Sequence, residues 1–320
     1  MPKPKMPKWS ERFSTKPEIP SLLNKFIFLA GFWLFTVCSQ AQSNDSLRQR
    51  KKILISANTV AYTGAMTGLY QLWYKDYPME KFHFFNDNAE WLQMDKLGHA
   101  YSCYYEGLTG IQMMRWAGYS EKASIWIGGS YGWWIQAGVE IMDGFSKSWG
   151  ASWGDLMANT LGSALVIGQE LTFKEQRVTM KLSYAPTFYA QYRPNVLGSS
   201  HIERLFKDYN GQIYWLSTTP ATWLPETSKL PRWMGLAVGY GAHGMTGGFD
   251  NLELLYEGVI QDPFERKRQG YLAADLDLRK IPVKKKWLKS TLFVLNCVKF
   301  PMPGVSFEKD QTPQFQWIAF

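Results

Sequence analysis

The sequence predicts an α+β protein, mainly α, in which a four-helix membrane-associated domain precedes a smaller mixed domain with about five short strands. Three observations carry that reading. Residues 50–173 hold long stretches with polar groups at helical spacing and few charges. From about Val178 short β-rich runs alternate with turn residues. Aromatics reach 16%, and eight of the 15 Trp lie between Trp73 and Trp153. The 320 residues can bury a sizeable core, and 46% hydrophobic content excludes a disordered chain. Three Cys are too few for a disulfide scaffold, and the negative mean hydropathy argues against a conventional polytopic membrane protein.

Residues 1–41 read as a secretory signal peptide. Lys3, Lys5, Lys8, Arg12, Lys16 and Lys25 precede the uncharged run Phe26 to Val37, and small residues Ser39 and Ala41 follow. Cys38 invites lipidation, but branched Val37 stands where a lipoprotein signal wants a small residue. Cleavage after Ala41 removes six basic and two acidic residues, which takes the formal charge from +8 to +4. The signal places the chain in the cell envelope, on the periplasmic side, with the choice of membrane open. A secreted chain without a recognised binding motif is not expected to bind nucleic acid. Cys103 and Cys297 remain, and nothing in the sequence favours a bridge between them over two free thiols.

Residues 42–177 form the expected helical domain. Ile53 to Tyr74 is 22 residues without a charge, long enough to span a bilayer. Lys96 to Trp116, Glu121 to Met142 and Leu156 to Phe173 supply three further helices. Small pairs four apart, such as Gly128 and Gly132 or Ala158 and Gly162, allow close helix approach. Trp and Tyr near helix ends suit a membrane–water boundary, so membrane lipid is the expected partner.

Residues 178–320 are expected to be mixed. Strands are predicted at Val178–Ala185, Gln212–Ser217, Leu236–Gly241, Gly270–Leu278 and Gln314–Phe320. The run from Tyr271 to Leu278 alternates toward its end, which predicts one wet and one buried face. The terminal Phe320 suits an outer-membrane barrel, but counting back by twos meets Gln316, and five strands do not close a barrel. Lys284, Lys285 and Lys286 open an amphipathic stretch from Trp287 to Phe300, within a local excess of six positive charges over 263–289. Contact with anionic lipid and a solvated charge run are both open readings of it.

Ionisable residues in the helical domain recur at helical spacing. Asp95, His99 and Glu106 share one stripe; Gln136, Glu140 and Asp143 share a second; Asp155 and Asn159 share a third. With apolar faces packed or in lipid, these stripes turn inward and meet, and buried carboxylates then need partners. Asp95 is also a natural N-cap, and Ser152-Trp153-Gly154-Asp155 matches a capping box. Glu140 and Asp143 lie near a helix C-terminus, where the dipole disfavours negative charge, so a cation is expected to face them. Lys96, His99, Lys147 and a divalent metal ion are the candidates. One His among carboxylates suits a harder divalent ion better than a structural zinc.

Asp95-Lys96-Leu97-Gly98-His99-Ala100, Glu140-Ile141-Met142-Asp143 and Ser152-Trp153-Gly154-Asp155-Leu156, continuing through Asn159 and Gly162, resemble the YfiM-like predicted periplasmic lipoproteins, domain of unknown function family 2279. The resemblance covers about residues 50–173. A fainter likeness is to VanZ-like membrane proteins. The family implies an envelope location and a small helical domain, and it implies no activity.

Two functions are consistent with these residues. In the leading one the chain is an uncharacterised secreted, membrane-associated envelope protein with a structural or interaction role. Asp95, Lys96, His99, Glu140, Asp143, Ser152, Asp155 and Asn159 then form a buried polar cluster that organises the helices. In the alternative it is a membrane-interface metal-dependent hydrolase acting on a lipid or phosphorylated envelope precursor. His99 is then general base or ligand, Glu140 and Asp143 hold the ion, and Lys96 binds anionic substrate. No nucleophile motif such as G-x-S-x-G is present, which disfavours covalent acyl transfer.

Overall fold

The structure is a computed structural model that describes residues 44–320 apart from Asp76, Glu226, Leu252, Glu257, Gly258, Asp262 and Pro263. The expected signal peptide and Cys38 lie outside the described residues. The fold is mixed, with helices followed by a six-stranded antiparallel sheet. Helix α1 spans Asn44–Leu69 and runs on as a π-helical turn, Tyr70–Tyr74. Then come α2 (Met94–Trp116), α3 (Tyr131–Gly144), α4 (Trp153–Phe173) and, late in the chain, α5 (Lys286–Leu295). Among the described residues no helix is long and apolar enough to cross a membrane. That corrects the expectation for Ile53 to Tyr74: its charge-free run is diluted by Thr59 and Thr67, whose hydroxyls donate to Ile55 and Thr63 carbonyls.

The expected single helix from Glu121 to Met142 is broken into a turn at Glu121–Ala123, a π-helical segment Ser124–Gly128 and α3. Glycine explains the break. Gly110 of α2 meets the Gly128 backbone so closely that a side chain at either would collide. At the other end of α2, Gly162 of α4 rests on the Ala100 carbonyl in the same way. Tyr104, Leu108, Ile111, Ala158 and Val166 fill the core between these helices.

Strands β1 (Val178–Tyr184), β2 (Gln212–Thr218), β3 (Met234–His243), β6 (Lys267–Leu276), β7 (Met302–Glu308) and β8 (Gln314–Ala319) lie side by side in that order. A separate hairpin, β4 (Leu254–Tyr256) with β5 (Val259–Gln261), completes the eight strands among the described residues. A strand overlaps each of the five expected segments, but the expected count of about five is too low, since β7 and the hairpin are additional. Pro303 and Gly304 disguise β7 in the sequence; a register shift between Met302 and Gly304 accommodates them. The outer edge of β1 meets residues 297–299, with the Leu182 N–H donating to the Cys297 carbonyl at 3.0 Å. Cys103 and Cys297 are free thiols.

The two faces of this sheet are inverted relative to an ordinary soluble one. One cross-strand row runs Met180, Leu216, Val238, Leu272, Val305, Phe315, and its Leu216, Val238, Leu272 and Phe315 are exposed, with Val305 half-buried. The next row runs Lys181, Trp215, Gly239, Tyr271, Ser306, Gln314 on the opposite face. Lys181 Nζ is 2.8 Å from Asp275 Oδ2, and both side chains are fully buried. Their strands are three positions apart, which in a flat sheet is roughly 14 Å at about 4.8 Å per strand. The sheet therefore curls around this polar face. Buried Lys299 reaches the carbonyls of Ala274 and Phe300 at 2.8 Å, with its ammonium 4.9 Å from the Trp215 ring. Gly239 makes room for that indole, since a Cβ there would sit 2.6 Å from it.

The helical part and the sheet share an interface. Tyr101 and Tyr105 of α2 donate to the carbonyls of Cys297 and Met180, and Tyr214 packs with Met94, Leu97 and Tyr101.

Candidate functional site

Asp95, Lys96 and His99 come from the first turns of α2, Glu140 from the end of α3, and Asp155 and Asn159 from the start of α4. The helix starts are set locally. Ser152 caps α4, its hydroxyl accepting the Asp155 N–H at 3.1 Å, as the sequence predicts. Asp95 does not cap α2. The chain enters that helix through Trp91, Leu92 and Gln93, all in the left-handed region, with φ of 46°, 51° and 69°. Each such residue costs about 1–2 kcal/mol. The sheet holds the turn: Tyr240 donates to the Leu92 carbonyl at 2.7 Å, and Arg268 to the Gln93 side chain at 2.9 Å. With the cap taken elsewhere, the Asp95 carboxylate is free to face Lys96.

Lys96 is the centre of one half of the site. Its ammonium lies 2.6 Å from Asp87, 2.9 Å from Asp95 and 3.0 Å from Asp155. Only 12% of its side chain is exposed, and its charge faces all three carboxylates. Asp87 is a member that the sequence pattern does not reveal. It sits in the Asn86–Asn88 turn, outside any helical period, and accepts the Ser152 hydroxyl. Burial would raise Asp87, but the hydrogen bond with Asp155, the Lys96 ammonium and the Ser152 hydroxyl together hold it below its ordinary value. Asp155 is raised by burial and by the same shared hydrogen bond, and Asp95 is raised by burial against the pull of Lys96. Three carboxylates crowd one ammonium in a poorly hydrated site, which favours the protonated form of Asp155 as long as Lys96 is the cation they share.

The other half gathers His99, Glu140 and Asp155. His99 Nε2 is 3.9 Å from both Glu140 Oε1 and Asp155 Oδ1, and its Nδ1 is 3.1 Å from Asn159 Oδ1. Glu140 accepts the Ser152 N–H at 2.8 Å through its other oxygen. Burial, only partly offset by that amide and by His99, pushes Glu140 up to about 7. These three residues could hold a metal ion by the spacing of their donor atoms. Asp143, the third ligand expected from sequence, turns instead to Tyr74, whose hydroxyl donates to it at 2.7 Å. Burial raises Asp143 to about 6. Glu106 shares a stripe with His99 but meets Gln136 at 3.3 Å, and burial pushes it up to about 8. Exposed Lys147 is not among the contacts of the cluster.

Residues 83–168 match the DUF2279 family, predicted periplasmic lipoprotein. No curated protein and no solved structure matches the chain. The DUF2279 segment contains the whole cluster from Asp87 to Asn159 and stops before the sheet. Its description agrees with the periplasmic, membrane-associated envelope location expected from the leader. It is also that of a lipid-anchored protein, for which Cys38 is the residue to test.

Proposed function

We propose that this chain is a membrane-associated cell-envelope protein whose curled sheet rests its outer face in the apolar part of a bilayer. The Lys96 half of the polar cluster then acts as the structural lock of the adjoining helices. The observation that carries the reading is the inverted sheet: an ion pair without solvent exposure inside, and the row from Leu216 to Phe315 outside. In water, that arrangement exposes apolar area to solvent and buries charge. In lipid, each residue faces the medium it prefers, as in membrane barrels. Trp153, Met157 and Leu161 extend an exposed apolar stripe along α4 at four-residue spacing. Exposed Trp287 and Leu295 on α5 lie in the stretch bearing Lys284 to Lys286 and Lys289, a pattern suited to an anionic surface.

Flotation of the purified mature chain with vesicles containing anionic lipid tests this. The protein is expected in the floated fraction, with Val238→Asp and Leu272→Asp variants shifted to the soluble one. Recovery of the unmodified wild-type chain wholly in the soluble fraction would overturn the reading. The metal-dependent alternative draws support from the His99, Glu140 and Asp155 geometry.

A further inference from the structure

Glu140 is 3% exposed, and its Oε1 has no hydrogen-bond partner among the described residues. That oxygen points at His99 Nε2. Asn159 Oδ1 is an acceptor at His99 Nδ1, so Nδ1 carries the proton and the Nε2 lone pair faces two carboxylate oxygens. At 3.9 Å neither contact is a hydrogen bond. Three acceptors thus converge on one point. Asp155 Oδ1 also lies 3.0 Å from the Lys96 ammonium, but buried Glu140 Oε1 has no donor among the described residues, which calls for a cation between it and His99. The neighbouring trio of Asp87, Asp95 and Asp155 has the same spacing, but the Lys96 ammonium fills it.

We propose that His99 Nε2, Glu140 Oε1 and Asp155 bind one divalent first-row cation. Ligand bonds of about 2.0–2.2 Å put tetrahedral donors roughly 3.4 Å apart, so closure from 3.9 Å takes about 0.5 Å of movement. One imidazole with two carboxylates suits Zn²⁺ or Mn²⁺ over Ca²⁺ and Mg²⁺, which take oxygen ligands. Asn159 is the supporting group: by accepting from Nδ1 it fixes the ring with Nε2 toward the ion. The exposed fifth of the His99 side chain leaves the ion a way in.

Zn²⁺ is the probe, being among the tightest binders at such sites. Full-length mature chain in mild detergent is stripped with a chelator and dialysed against Zn²⁺ alone. One equivalent per chain is expected. It should be lost in His99→Ala and bound at least about tenfold more weakly in Glu140→Gln. The Gln carbonyl can still accept the Ser152 N–H, so this variant decides the matter where His99→Ala misfolds. Asp95→Asn, which touches Lys96 but not the trio, should keep the equivalent. Zinc should also raise the melting temperature of wild type and leave that of Glu140→Gln unchanged. Absence of saturable binding in wild type, or an undiminished equivalent in both His99→Ala and Glu140→Gln, would overturn the proposal. The readout is bound metal, so it stands apart from vesicle flotation.

Discussion

Replacing Lys96 by Met removes the one ammonium that three carboxylates share while keeping most of the side-chain volume. That ammonium lies 2.6, 2.9 and 3.0 Å from the three, and the side chain is 12% exposed, so solvent screens little of the effect. Breaking a buried pair by removing one partner costs about 3–5 kcal/mol. For a chain of this size that is a fall of roughly 6–20 °C in melting temperature, at about 2–4 °C per kcal/mol. The destabilisation has a defined pH dependence. Asp87 is held below its ordinary value in the fold, so its contribution is present above its unfolded value and disappears as pH falls through the folded one. The gap between wild type and Lys96→Met should therefore narrow toward acid pH. Differential scanning calorimetry in chelator at pH 7 and at about pH 2, below the ordinary carboxylate value, measures both points. A Lys96→Met protein that melts within about 2 °C of wild type at pH 7 would refute the claim that Lys96 locks these helices.

Three other outcomes follow from the same geometry. Glu106, Glu140 and Asp143 have folded values raised to about 8, 7 and 6, so their contribution is full below pH about 4 and is lost as pH rises through those values. Metal-free protein should therefore melt lower at pH 9 than at pH 5, and Glu106→Gln should lose less over that range. Lys181→Met should destabilise by about 3–5 kcal/mol, whereas Lys181→Met with Asp275→Leu should recover much of it, as a double-mutant cycle will show. Gly162→Ala drives a methyl into the Ala100 carbonyl and should cost about 1–3 kcal/mol in chemical denaturation.

Helical spacing makes much of the cluster legible. His99, Glu140, Asp155 and Asn159 meet because residues four apart share a face and small residues such as Gly162 let the faces close. Asp87 is not legible, because a left-handed turn, rather than a periodic element, brings it to Lys96. Spacing puts Asp143 on the correct face, but Tyr74, from the π-helical turn that follows α1, claims it. In the sheet, the alternation has the expected period and the opposite sense from Tyr271 to Leu276, and it ends at Asp277 and Leu278, which are both buried. Asp275 and Asp277 are buried, while Leu272 points outward. Period fixes which residues share a face; which face meets solvent depends on partners such as Lys181, which lies far away in sequence, and Arg279, which turns back onto Asp277.

The outward face of the sheet is where the account is most directly tested. A nitroxide attached at Val238→Cys, with Cys103 and Cys297 replaced by Ser, reports its surroundings through power saturation by oxygen and by a water-soluble nickel chelate. With anionic vesicles present, the account predicts high oxygen and low nickel accessibility at position 238, reversed at a label on Glu175. Equal nickel accessibility at the two positions would contradict it.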